Sequence, residues 1–219
     1  MKKQAGILLV DDHAILREGL ARLIDQESDM HVCGQAGDSH EALRLLEELK
    51  PDLAIVDISL GGSHGLELIK DIKARWPRLP VLVLSMHDEA LFAERALRAG
   101  ARGYIMKQVP SVELLASLRR VLRGKYYLSE TMTRQLLGQF ADGQHAKGTS
   151  PLARLSNREF EVLELIGRGN RTRQIAQQIH VSVKTVQSHR EHIKEKLRLQ
   201  DAVSLVRFAV QWVESQKEQ

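Results

Sequence analysis

Apolar residues in the first half of the chain fall into four short runs, ILLVDD, LAIVD, VLVLS and GYIMK. Each ends on polar residues: Asp11 and Asp12, Asp57, Ser85 and Lys107. A run that is apolar at nearly every position predicts a strand buried on both faces, as in a parallel sheet. Between the runs the spacing becomes helical, at Ile15, Leu16, Leu20 and Leu23; Leu43, Leu46 and Leu49; Leu66 and Ile69; Leu91, Ala96 and Leu97; and Leu114, Leu118, Val121 and Leu122. A further strand is predicted at 30–36, MHVCGQA. Five strand–helix units follow. The expected fold is α/β, a doubly wound five-stranded parallel sheet in the order 2-1-3-4-5, with its ligand crevice outside the carboxyl ends of strands one and three.

The strand pattern stops in the second half. Residues 138–151, GQFADGQHAKGTSP, are polar and rich in Gly and lack a sustained apolar period, so they read as a linker. Residues 129–137 suit a short helix extending the first domain. Four helical patterns follow: Ser156 to Gly167, opened by a Ser156/Glu159 capping box; Thr172 to Ile179, with Thr172 as N-cap; one capped by Ser182; and one from about Asp201 to Ser215. The tight His180-Val181-Ser182 connection predicts a helix-turn-helix. The expected organisation is a first domain over 1–128, a linker over 129–151 and an all-α domain over 152–219.

A parallel sheet gathers its carboxyl ends on one edge, so three carboxylates, a hydroxyl and an ammonium converge there. That set describes a phosphorylatable aspartate. Asp57, ending the central strand, is the expected nucleophile. Asp12, with Asp11 through water, suits Mg²⁺, which takes a few carboxylates and keeps several waters. Lys107 offers a point charge to the phosphoryl oxygens and Ser85 a hydrogen bond.

Charge sharpens the contrast between the halves. Residues 1–128 hold 18 basic and 18 acidic side chains, while 129–219 hold 14 and 10, so the net charge of +4 is entirely C-terminal. From Arg171 to Arg198 seven basic residues face two acidic ones, which points to a polyanion. The single cysteine, Cys33, excludes an intramolecular disulfide and reads as core packing. The opening segment runs straight into two aspartates, which suits neither a signal peptide nor a membrane span, so a cytoplasmic location is expected.

Residues 1 to about 128 resemble the receiver domain of two-component response regulators through LVDDH, the Asp57 strand end, GLELI, LSMHDE and AGARGYIMK. The resemblance implies that Asp57 accepts phosphate from a histidine kinase. It also implies that Asp12, Asp57 and the backbone carbonyl of Ser59 ligate the metal with Asp11 in support, and that Ser85 and Tyr104 form a switch pair in which Tyr104 turns inward. Two departures are Gly61, where the pattern often has proline, and Gln108 after Lys107, again often proline.

Residues 155–210 resemble the LuxR-type helix-turn-helix of the NarL/FixJ class through LSNREFEVLELIGRG, IAQQIHVSVKTVQSHREHIKEKL and VSLVRFAV. An apolar stripe of Val186, Ile193 and Leu197 should anchor the recognition helix, leaving Lys184, Thr185, Gln187, Ser188, Glu191 and Lys194 outward for the major groove. Gln187 suits adenine and Ser188 several bases, while Arg173, Lys184, Thr185, Arg190 and Lys194 suit phosphate. Val203, Leu205, Val206, Ala209, Val210 and Trp212 in the last helix exceed what a four-helix core needs, and part of that face should dimerise. The expected protein is therefore a phosphorylation-controlled transcription regulator that binds promoter DNA as a homodimer.

Two alternatives share these residues. One is a phosphorylation-independent DNA binder whose receiver is a dimerisation scaffold. The other is a metal-dependent phosphohydrolase, which would need a second acid near the nucleophile where this chain has Ser59.

Overall fold

The computed structural model describes residues 4–60, 63–141 and 151–217. It divides into two compact units, Met1–Arg134 and Gln135–Gln219. The division lies inside a helix, past residue 128.

The first unit is a five-stranded parallel sheet formed by β1 (Ala5–Val10), β2 (Met30–Ala36), β3 (Leu53–Val56), β4 (Val81–Ser85) and β5 (Gly103–Met106), in the order β2-β1-β3-β4-β5. The helices between and after them are α1 (Ala14–Asp25), α2 (Ser39–Leu49), α3 (Gly65–Arg75), α4 (Glu89–Ala99) and α5 (Ser111–Leu122). The four strands other than β2 have almost no exposed side chains because helices cover both faces. Ile7, Leu9, Ile55, Leu82, Leu84 and Ile105 pack with Ala21 and Ile24 of α1 and with Leu114, Leu118 and Val121 of α5. Alternation turns Leu8, Val10, Ala54, Val56, Val83 and Tyr104 to the opposite face.

The register aligns the strand ends. Val10 pairs with Val56, Val56 with Val83, and Ser85 with Met106. Asp57 N–H then donates to Val10 O at 2.9 Å, and Lys107 N–H to Ser85 O at 2.8 Å. These bonds bring the predicted site residues onto one edge.

Two expectations fail on burial. Ile15, placed in the apolar stripe of α1, is 89% exposed, and Leu49 is exposed at the end of α2. The burial of α1 comes instead from Ala21 and Ile24, with Leu20 and Leu23 partly buried beside them. Cys33 is only half-buried, because β2 is an edge strand, and burial still pushes its thiol up.

After α5, Tyr127 adds a parallel bridge to Gly103 at the β5 edge. Glu89 Oε1 then accepts from Ser129 N–H at 2.9 Å, at the start of α6 (Glu130–Ala141). The helix expected over 129–137 is therefore longer and takes in the first residues assigned to the linker. Residues 142–150, the middle of that expected linker, lie outside the described residues, as does Gly61.

The second unit has a 3₁₀ turn (Pro151–Arg154) followed by α7 (Asn157–Gly167), α8 (Thr172–Gln178), α9 (Val183–Leu197) and α10 (Ala202–Lys217). The Ser156/Glu159 capping box is present, and Ser182 caps α9 through Thr185 N–H. The N-cap of α8 is Arg171, not Thr172. Gln174 Oε1 reaches back to Arg171 N–H at 2.8 Å, so the side chain at the third helical position does the capping. His180 takes a left-handed φ of 53° and ends α8, which makes the turn to α9 tight. Gly167 is required by packing, since a Cβ there would lie 2.4 Å from Ala209 O on α10.

Candidate phosphoacceptor site and nucleic-acid interface

Asp57 sits at the end of β3 and is 2% exposed, and Asp11, at the end of β1, is 4% exposed. Lys107, from the end of β5, joins them with its Nζ 2.7 Å from Asp57 Oδ2 and 2.6 Å from Asp11 Oδ2. Burial pushes Asp57 up to about 6 even though the Lys107 ammonium opposes the shift. Burial pulls Lys107 down, but the two carboxylates more than offset it and hold its ammonium above the ordinary lysine value.

Asp12 is less buried than its neighbour, with its side chain 15% exposed. Asp11 Oδ1 accepts from His13 N–H at 2.8 Å, and the His13 Nδ1 lies 2.8 Å from Asp12 Oδ1. Asp11, Asp12, Asp57 and His13 offer ligand atoms within 4.8 Å of one another. Carboxylate oxygens in that number suit a hard divalent cation. Asp11 is engaged by Lys107, whereas Asp12 is engaged by His13. Ser59 N–H donates to Asp57 Oδ1 at 3.3 Å.

Ser85 is fully buried, and its Oγ accepts from His87 N–H at 3.2 Å. Tyr104 is also fully buried, and its hydroxyl donates to His87 O at 2.8 Å. The inward turn expected of Tyr104 is thus already made in this structure.

Residues that the sequence did not single out complete the site. Arg17 Nη1 donates to the Asp11 carbonyl, tying α1 to the end of β1. Gly65 opens α3 so close to Asp57 that a Cβ would lie 1.9 Å from its carbonyl oxygen. His13 falls within LVDDH and His87 within LSMHDE, so both are visible as letters of a motif. Their placement beside two carboxylates and three hydroxyls depends on loop geometry that no spacing reveals.

In the second unit Val186 and Ile193 are buried on the inner face of α9, and Leu197 is partly buried. Lys184, Gln187, Ser188 and Glu191 are placed as follows: Lys184, Gln187 and Glu191 are exposed, as is Arg173 on α8, and Ser188 is exposed beside Gln187. Thr185 and Lys194 are less outward than expected. Thr185 Oγ1 lies 2.8 Å from Ser182 Oγ in the cap, and Lys194 Nζ lies 2.8 Å from Glu191 with its side chain 19% exposed. Arg190 is half-buried.

The family model of the response regulator receiver domain matches residues 7–119, and that of the bacterial regulatory proteins of the luxR family matches 153–209. The chain belongs to the two-component response regulators. The regulator is 38% identical over 208 residues to the oxygen regulatory protein NreC of Staphylococcus carnosus (strain TM300), covering 93% of this chain and 96% of that protein. The NreC of Staphylococcus haemolyticus (strain JCSC1435) is 37% identical with the same coverage. Among solved structures, RcsB of Salmonella enterica serovar Typhimurium, bound to promoter rprA with the phosphomimetic BeF3-, aligns 95% of the regulator with 99% of its own chain, at 26% identity and a TM-score of 0.61. A LuxR-family two-component response regulator from Aurantimonas sp. SI85-9A1 is 34% identical over 64% of the regulator and 99% of that chain, with a TM-score of 0.59. A receiver joined to a luxR-type helix-turn-helix makes this a phosphorylation-controlled DNA-binding regulator.

Proposed function

We propose that Asp57 takes a phosphoryl group from a partner histidine kinase and that the change controls dimerisation and promoter binding. The observation that carries this reading is the buried Asp57 carboxylate, flanked by Asp11 and paired with Lys107. An Asp57 oxygen attacks phosphorus, the P–O bond forms as the P–N bond of the phosphohistidine breaks, and the histidine nitrogen keeps the electron pair. Lys107 faces the charge that develops on the phosphoryl oxygens. Asp12, Asp57 and the Ser59 carbonyl would hold Mg²⁺ directly, with Asp11 through water; bound there, the ion offsets repulsion between the anionic acceptor and the anionic donor. Ser85 supplies a hydroxyl to the transferred group. Water attack on the acyl phosphate returns the carboxylate slowly, because position 59 carries the Ser59 hydroxyl and not a second carboxylic acid.

The output is a shift in population between two receiver states, and about 5.5 kcal/mol of differential stabilisation would move it from mostly one to mostly the other. In the second unit, α9 enters the major groove. Gln187 and Ser188 face base edges, while Lys184, Arg173 and Arg190 meet phosphate with Thr185 and Lys194 at the rim. On α10, Leu205 and Ala209 serve the core while Val203 and Val206 stay exposed, 67% and 41%, and supply the dimer face. Binding to promoter DNA puts the work of this chain in the cytoplasm. Among the described residues no helix is long and apolar enough to cross a membrane.

Intact mass with Mg²⁺ and acetyl phosphate tests the acceptor. One phosphate should be gained by the wild type and none by Asp57→Ala. Operator affinity should rise with phosphate in the wild type only. Equal affinity with and without phosphate, at every protein concentration, would refute the coupling.

A further inference from the structure

His87 makes polar contacts to three of the functional positions at once. Its Nε2 lies 2.9 Å from Ser59 Oγ, its N–H donates to Ser85 Oγ at 3.2 Å, and its carbonyl accepts from Tyr104 O–H at 2.8 Å. The imidazole also packs against the Phe92 ring of α4, with centroids 4.5 Å apart and the two planes tilted by 35°. Ser59, at the other end of the imidazole bond, donates its own N–H to Asp57 Oδ1. A continuous path therefore runs from the acceptor carboxylate through Ser59 and the His87 ring to the carbonyl that holds Tyr104. It bypasses the direct route through Ser85.

We propose that the His87 imidazole is a positioning residue that latches the switch: its bond to Ser59 fixes the turn between β4 and α4 in the form that buries Tyr104 before any phosphoryl group arrives. Two features select the ring for this role. The Phe92 contact restricts the plane of the imidazole, so the ring meets Ser59 without a search through rotamers. The backbone of the same residue holds both members of the switch pair, so a rotation at His87 moves Ser85 and Tyr104 together. The latch also senses the acceptor. Phosphorylating Asp57 turns the carboxylate that Ser59 N–H faces into an acyl phosphate, and the Ser59 hydroxyl carries that change to the ring. This second element rests on Asp57 being the phosphoacceptor.

The test uses the full-length chain with ¹³C-labelled tyrosine rings, the Tyr104 signal being assigned by Tyr104→Phe. Ser59→Ala removes the hydroxyl and leaves the Phe92 contact; His87→Phe keeps a ring against Phe92 and removes the nitrogen; Ser59→Thr restores a hydroxyl. Without phosphate, Ser59→Ala and His87→Phe should each raise the solvent-exposed population of Tyr104 roughly 3- to 10-fold, as loss of one net hydrogen bond implies. The double variant should go no further than either single one, and Ser59→Thr should stay near the wild type. The latch is overturned if Tyr104 stays buried in both single variants, or if their effects multiply in the double variant. Intact mass after acetyl phosphate treatment of the same samples addresses Asp57 separately. A wild type that gains no phosphate ends the acceptor reading and the sensing element with it, while the unphosphorylated Tyr104 populations still decide the latch.

Discussion

The Lys107 ammonium lies 2.7 Å from Asp57 Oδ2, and both side chains are 3% exposed. Replacing Lys107 with Met leaves two buried carboxylates facing each other, and Asp57 escapes part of the penalty by taking up a proton. The receiver should lose about 3 kcal/mol of stability in urea unfolding. Phosphorylation by acetyl phosphate should slow roughly 100-fold or more, the scale for removing one preorganised charge donor. Unchanged rate and stability would remove Lys107 from the site.

Gly65 gives a prediction of sign. A Cβ at this position would lie 1.9 Å from Asp57 O and 2.8 Å from Ile58 Cα, both backbone atoms that no side-chain rotation relieves. Gly65→Ala should cost roughly 1–3 kcal/mol and slow phosphorylation by shifting the acceptor. Gly19 lies inside α1 with nothing within 4 Å of its would-be Cβ. Gly19→Ala should stabilise by about 0.5–1 kcal/mol. Thermal melts of the two variants should move in opposite directions.

On the DNA face, Gln187 and Arg173 should separate by kind of effect. Gln187→Ala should cost roughly 1–3 kcal/mol at one base position and relax the preference there. Arg173→Ala should weaken all sequences alike and lower the salt slope by about 1. Binding measured across a set of single-base operator variants at several salt concentrations distinguishes them. A uniform loss from Gln187→Ala would take it off the base edges.

The second unit should lose stability as pH falls, in two stages. Burial, aided by the nearby Arg158 cation, holds His189 below its ordinary value, so the folded state resists protonation and stability declines as pH drops below 6.5. Burial pushes Glu159 up, but the Lys196 ammonium at 2.6 Å and the Ser156 N–H outweigh it and hold the carboxyl below 4.5. Its contribution is complete above 4.5 and is lost as pH falls through the lowered value. Chemical unfolding of the full chain, followed by Trp212 fluorescence in a Trp76→Phe background, should show both stages. Lys196→Met should flatten the lower one.

Much of the receiver was legible because a parallel sheet converts strand ends into neighbours: Asp57 and Lys107 meet although 50 positions separate them. The helices were less so. Ile15 obeys the apolar period of α1 yet stands in solvent, because the period describes a stripe and not its ends. Thr172 has the better capping chemistry, but Gln174 reaches back to Arg171 and moves the start of α8 by one residue. Lys194 and Glu191 are three apart on one helix, a spacing that permits the pair the structure shows. The role of His87 was illegible, since its three contacts depend on how one turn folds over another.

Four different strands deliver Asp11, Asp57, Ser85 and Lys107, and the cation comes from the last of them. A chain synthesised only as far as β4 therefore holds two buried carboxylates without the ammonium that pairs with both of them. A finished receiver whose β5 edge has frayed returns to the same unbalanced charge. The last strand of the sheet thus closes the charge balance of a site that the earlier strands begin, so the site and the intact sheet stand or fall together.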